Sequence, residues 1–77
     1  MKRLPKVDMR LTGERIAELR RKNNMTVTDL QKLFGFNTPQ AIYKWMRGET
    51  VPTVDNLVIL AEAFHVSISD IVVVTRA

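Results

Sequence analysis

Apolar residues recur along this chain at helical spacing, in blocks separated by short polar breaks. Leu11, Ile16 and Leu19 share one side of a first helix, predicted from about Arg10 or Thr12 to Asn23. Glu14, Arg15, Glu18, Arg21 and Lys22 take its other side. Leu30, Leu33 and Phe34 mark a second helix over Val27 to Phe34, and Ile42 with Trp45 a third over Pro39 to Arg47. Leu57, Leu60, Ala61 and Phe64 form the apolar face of a fourth, Val54 to Phe64. A short fifth helix, Ile68 to Val72, is expected to close the core. The β-branched run Val72, Val73 and Val74 either finishes that helix or forms a strand that pairs with a partner chain.

The breaks carry their own chemistry. Thr26 with Asp29, and Ser67 with Asp70, fit the capping-box spacing, in which a hydroxyl and a carboxylate satisfy backbone N–H groups at a helix start. Thr53 is placed to cap the fourth helix, and Thr38 the third, with Pro39 at its first position. Gly35 stands where a left-handed helix end is wanted, and Gly48 ends the third helix. Arg20, Arg21 and Lys22 suit the carbonyl end of the first helix dipole, a structural reason for them that competes with a binding one. Met25 should pack inward before the Thr26 cap.

With 77 residues the chain is one domain of small stability margin. It has no cysteine, so neither a disulfide framework nor a thiolate metal site, and a single histidine cannot hold zinc alone. No apolar run approaches the ~20 residues of a membrane span, and the start has no apolar stretch of a secretory signal. No metal, cofactor or membrane partner is therefore expected, and a cytoplasmic, nucleoid-associated location is. An enzyme is not expected either: His65 has no nucleophile pattern beside it, and no glycine-rich phosphate loop is present.

Charge is uneven. The net charge is +4, yet residues 1–22 hold eight Lys/Arg against three acids, while residues 23–77 hold four against five. The excess begins in a basic arm, residues 1–9, with Lys2, Arg3 and Lys6, ahead of the domain at 10–77. The arm lacks periodicity and should be mobile when free. It either lies along phosphates or in a minor groove, or is a solubilising terminus.

The third helix is the sharpest chemical signal. About ten residues make a rod roughly 15 Å long at ~1.5 Å per residue, which fits a B-DNA major groove ~12 Å wide. Ile42 and Trp45 can share its inner face, leaving Gln40, Ala41, Tyr43, Lys44 and Arg47 for the others. Glutamine can bond an adenine edge in two-point fashion, and lysine can reach guanine or phosphate. The free N–H groups at the start of the second helix, with Thr26 and Thr28 beside them, can hold a phosphate. The bland alternative is a solvated polar helix face.

At this point the chain resembles the Cro/lambda-repressor-like (XRE-type) helix-turn-helix family, over about residues 12 to 72. The resemblance rests on IAELRRKNNMT, on TDLQKLFGF and on AIYKWMRGETVPTVDNLVILAEAFHVSISDI. Its most specific part is W-x-R-G-x-x-x-P-[ST] in WMRGETVPT, followed by L-x-x-L-A-x-A-x-x-V-S. The resemblance implies an all-α fold: a compact five-helix lambda-repressor-like domain with the helix-turn-helix at helices two and three. It implies base reading by Gln40, Ala41, Tyr43 and Lys44. It implies phosphate-backbone contact near Thr26, Thr28, Thr38 and Arg47, and at Thr50, Thr53 and Asn56 around the fourth-helix start. Two positions depart from the family: Val27 where glutamine is usual, and Gln31 where alanine is usual at the approach of the two motif helices. The turn is also about one residue longer, which is expected to re-seat the third helix around Gln31.

The function these readings imply is sequence-specific double-stranded DNA binding by a transcriptional regulator, with repression by obstruction the default and a homodimer the route to affinity. The alternative is a protein–protein module, such as an antitoxin-like partner or a mobile-element accessory factor, with DNA binding secondary. Gln40 and Lys44 on one helix favour the first. An apolar patch around Val72–Val74 would favour the second.

Overall fold

The computed structural model describes residues 3–76. Met1, Lys2 and Ala77, and with them the start of the expected arm, lie outside the described residues. Strand β1 (Pro5–Val7) leads into helices α1 (Met9–Lys22), α2 (Val27–Phe34), α3 (Gln40–Met46) and α4 (Val54–Phe64), then a single 3₁₀ turn (Ile68–Asp70) and strand β2 (Val74–Arg76).

The helix ends follow the side chains available to satisfy them. Thr26 Oγ1 accepts from Asp29 N at 3.0 Å while Thr26 N donates to the Asp29 carboxylate at 2.8 Å, closing the box that starts α2. Gly35 ends α2 at φ 70°, and His65 ends α4 at φ 58°. Thr53 Oγ1 accepts from Asn56 N at 3.2 Å at the start of α4. Each such cap contributes roughly 1 kcal/mol. Two ends differ from expectation. Asp8, not a residue of α1 itself, starts α1 by accepting from Leu11 N, so the helix begins at Met9. Thr38 does not cap α3: Pro39 takes the cap position with no side-chain bond, and α3 begins at Gln40.

The core is one cluster. Ile16, Leu30, Ile42, Leu60 and Ile71 are fully buried, with Leu19, Trp45, Leu57, Ala61 and Phe64 nearly so. Leu33, placed by its spacing on one face with Leu30 and Phe34, is 47% exposed. Phe36 from the following turn stacks on Phe34 at 5.1 Å between ring centroids.

The architecture is mostly helical with four α-helices, not five. The Ser67–Asp70 box is present, but it opens only a 3₁₀ turn before the chain straightens. A short segment after a cap has too few residues to repay α-helix nucleation. The valine run then forms β2, and its partner is the chain's own arm: Pro5 faces Arg76, Lys6 faces Thr75 and Val7 faces Val74, antiparallel. Asp8 N donates to Val73 O at 2.8 Å, and Val73 N donates to the hydroxyl of buried Thr12 at 2.9 Å. The arm is therefore tied down over 5–7, and the boundary expected after residue 9 falls inside α1. Val72 and Val73 are half-buried, and Val74 is exposed beside Val7, its register partner on β1, which is exposed as well.

Both capping carboxylates sit below the usual carboxylate range. Asp29 is lowered first by the Thr26 backbone N–H and then by its hydroxyl. Asp70 is lowered first by the Ser67 hydroxyl and then by its backbone N–H. A depressed folded pKa means that the unfolded chain binds more protons as the pH falls, so stability is full above the unfolded value of about 4 and is lost below it. Thermal midpoints should hold level from about pH 7 to 5 and drop below pH 4. Asp29→Asn and Asp70→Asn together should flatten that drop, and an unchanged acid limb would show that the boxes are not its source.

Candidate nucleic-acid interface

Helix α3 is held rigidly on its inner side. Ile42 is fully buried and Trp45 nearly so. The Trp45 ring meets Phe34 edge-on at 5.3 Å and Phe36 edge-on at 6.0 Å, so one residue from α2 and one from the turn clamp it. The longer turn is itself fixed by Gln31, whose side-chain amide donates to Phe36 O at 3.2 Å. A residue foreign to the family pattern at the helix approach thus has a partner inside the turn.

The other end of α3 is seated on α1. A β-carbon placed on Gly13 would lie 2.3 Å from Trp45 O and 2.8 Å from Met46 O, which no real side chain permits. A β-carbon on Gly48, at φ 77°, would lie 2.7 Å from Arg10 Cα. These two glycines let the first helix and the end of α3 touch backbone to backbone. Gly48 is legible as a helix end. Gly13 is not singled out by motif reading, although its place three residues before Ile16 puts it on the buried face of α1.

What α3 turns outward is polar. Gln40, Tyr43, Lys44 and Arg47 are all exposed, and their spacing of three, four and seven puts them on one face. Tyr43 is 42% exposed, so the outward row includes an aromatic side chain. Ala41 differs: it is half-buried and packs partly against the core, so only part of its methyl group faces out. The Arg47 guanidinium pairs with Glu49 on the surface, an exposed pair of small energetic weight. Glu49 N and Thr50 N in turn bond Lys44 O, folding the loop back on the helix end.

The flanking candidates lie in three places. Thr26 and Thr28 are exposed at the start of α2, but Thr26 Oγ1 and the Asp29 carboxylate are already engaged with each other's backbone. The N–H groups of Val27 and Thr28 have no helical partner there, because the first turn of a helix has none. Thr50 is exposed in the loop, Thr53 is exposed with its oxygen occupied as a cap, and Asn56 is half-buried. Thr38 is exposed in the turn with a free hydroxyl. Among the described residues no hydrogen bond joins the α2 pair to the Thr50–Asn56 group.

Two short helices at a fixed angle, the second with a buried inner face and a polar outer face, define a helix-turn-helix domain. The model of the Helix-turn-helix family matches residues 16–71, and the chain belongs to that family. It is an XRE-type helix-turn-helix protein, a DNA-binding transcription regulator. The crystal structure of the restriction-modification controller protein C.AhdI from Aeromonas hydrophila is similar to it: TM-score 0.72 and 23% identity over 83% of this chain and 96% of that one. At that identity the likeness is one of fold. No curated protein sequence matches. No described helix is long and apolar enough to cross a membrane.

Proposed function

We propose that the protein reads a specific double-stranded DNA site by inserting α3 in the major groove, acting in the cytoplasm as a homodimeric repressor without catalytic activity. The observation that carries this reading is the exposed row Gln40, Tyr43, Lys44 and Arg47 on a helix whose inner face is locked by Ile42 and Trp45. Rigid presentation matters because base discrimination needs side chains held in register with base edges. Gln40, at the N-terminal end of α3, is the residue for an adenine edge, and Lys44 one turn on suits guanine or phosphate. Thr28, Thr38 and Thr50 keep hydroxyls available for backbone phosphates, which fix orientation rather than sequence. Support for association comes from α4, where Val54, Val58 and Ile59 are 70%, 50% and 38% exposed on one chain alone. A two-fold pair of modules places its reading helices one helical turn apart on the duplex.

The test compares two variants on the preferred and on random duplexes. Gln40→Ala should cost roughly 1–3 kcal/mol on the preferred site and little on random DNA, relaxing one base pair. Lys44→Ala should weaken both, and flatten the slope of log affinity against log salt by about one if it holds a phosphate. Equal losses for Gln40→Ala on both duplexes would remove it from base reading.

A further inference from the structure

The geometry points to the β1–β2 ribbon as a second DNA-contacting element, gripping the phosphate backbone beside the groove that α3 enters. The inference rests on the reading of α3 proposed above and extends its footprint.

Position comes first. Gly48, which ends α3, lies against the first turn of α1, so close that an added β-carbon would sit 2.7 Å from Arg10 Cα and 3.2 Å from Met9 O. The ribbon springs from that same turn: Val7 ends β1, Asp8 caps α1, and Asp8 N bonds Val73 O. Its root is therefore the C-terminal end of the reading helix. At ~3.3 Å per residue the strand carries Pro5 roughly 10 Å away from that root, with Arg3 two residues beyond it.

Charge comes second. Arg3, Lys6 and Arg76 are exposed, and residues 3–7 and 74–76 contain no acid. Among the described residues none of these three cations forms an ion pair, whereas Arg10, Arg15, Lys22 and Arg47 each do. The acid nearest in sequence to β1, Asp8, is half-buried and accepts from the Leu11 N–H. The register puts Lys6 with Thr75 on one face and Arg76 with Pro5 on the other, so a ribbon standing edge-on offers a cation on either side.

The third observation is that the ribbon adds nothing to the core. Every residue of both strands is exposed, yet the chain fixes its direction with a buried threonine hydroxyl. Asp8 N donates to Val73 O, so by alternation Val74 and Arg76 turn their N–H groups outward on the β2 edge, while on the β1 edge Val7 turns one outward and Pro5 has none. Backbone N–H groups are phosphate ligands. A second copy of the ribbon is the rival occupant of that edge, but it would bring two sets of unpaired cations together with no acid to meet them. A polyanion fits the charge.

The test is the full chain carrying Arg3→Gln, Lys6→Gln and Arg76→Gln, titrated over a salt series on the preferred duplex, on a random duplex and on the preferred duplex with trimmed flanks. Sedimentation without DNA runs beside it. All three sites are exposed, so the unfolding midpoint should match wild type. The variant should lose roughly tenfold or more in affinity on both long duplexes near 0.1 M salt, and its salt slope should be shallower by about two to three. Sequence preference and association state should be unchanged. Trimming the flanks should weaken wild type and leave the variant indifferent. An unaltered slope overturns the inference, and so does a variant that dissociates into monomers without DNA, which would make the ribbon a contact between copies. Failure of α3 as the reader shows differently: wild type would bind preferred and random duplexes alike while the ribbon loss persisted. A wild-type chain that binds no duplex overturns both.

Discussion

Gly13→Ala should lower the unfolding midpoint by roughly 10–25 °C, the largest effect expected of any one-methyl change in this protein. The added carbon would stand 2.3 Å from Trp45 O and 2.8 Å from Met46 O, both backbone atoms at the end of α3. Neither can rotate away, so α1 and α3 must separate. Overpacking of this kind costs about 1–3 kcal/mol and more where backbone must move. At 77 residues the total stability is on the order of 4–12 kcal/mol, and each kcal/mol shifts the midpoint by about 4–8 °C. In an unconstrained helix the same change should help by nearly 1 kcal/mol, because alanine is the better helix former. The sign of the shift therefore decides the matter. A thermal melt followed by circular dichroism checks it, and an unchanged or raised midpoint would mean that the two helices are not in backbone contact.

Replacing Gln40, Tyr43 and Lys44 together by alanine should abolish selective binding, by a factor on the order of a thousand on the preferred site, while the chain stays folded. Base-edge contacts are worth about 1–3 kcal/mol each, and the gap between specific and random DNA is made of few of them. All three side chains are exposed and none holds the core, so the melt should move by only a few degrees. Weak, salt-sensitive binding should survive, carried by the remaining cations. Retained selectivity would place the reading surface elsewhere.

The two predictions differ in how far the sequence foretells them. The outward row of α3 is legible because helical spacing assigns Ile42 and Trp45 inward and leaves Gln40, Tyr43 and Lys44 outside. The caps at Thr26, Thr53 and Ser67, and the left-handed end at Gly35, are likewise local and could be read in order, whereas the left-handed end at His65 follows only from the family resemblance. What escaped is non-local. Gly13 reads as a mere weak point in a helix until its backbone neighbour, more than thirty residues away, is known. The pairing of Pro5 with Arg76 joins opposite ends of the chain through strands of three residues, exposed on both faces, which leave no alternating pattern to read. The stacking of Phe36 on Phe34 depends on the turn, where Gln31 bonds Phe36 O, and spacing along a helix does not show it. Thr38 looked like a cap from its place before Pro39, yet the turn sets the helix start one residue later. At the site, Ala41 showed the same limit, since half-burial depends on neighbours that spacing does not name.

The central claim, that α3 reads bases, is tested most directly by selecting binders from a random duplex library with the wild-type chain and sequencing the survivors. The expected result is one enriched inverted repeat with half-sites about one helical turn apart, lost when Gln40, Tyr43 and Lys44 are replaced. Survivors that match the input library, bound weakly and only at low salt, would contradict base reading and leave α3 as a scaffold for some other contact.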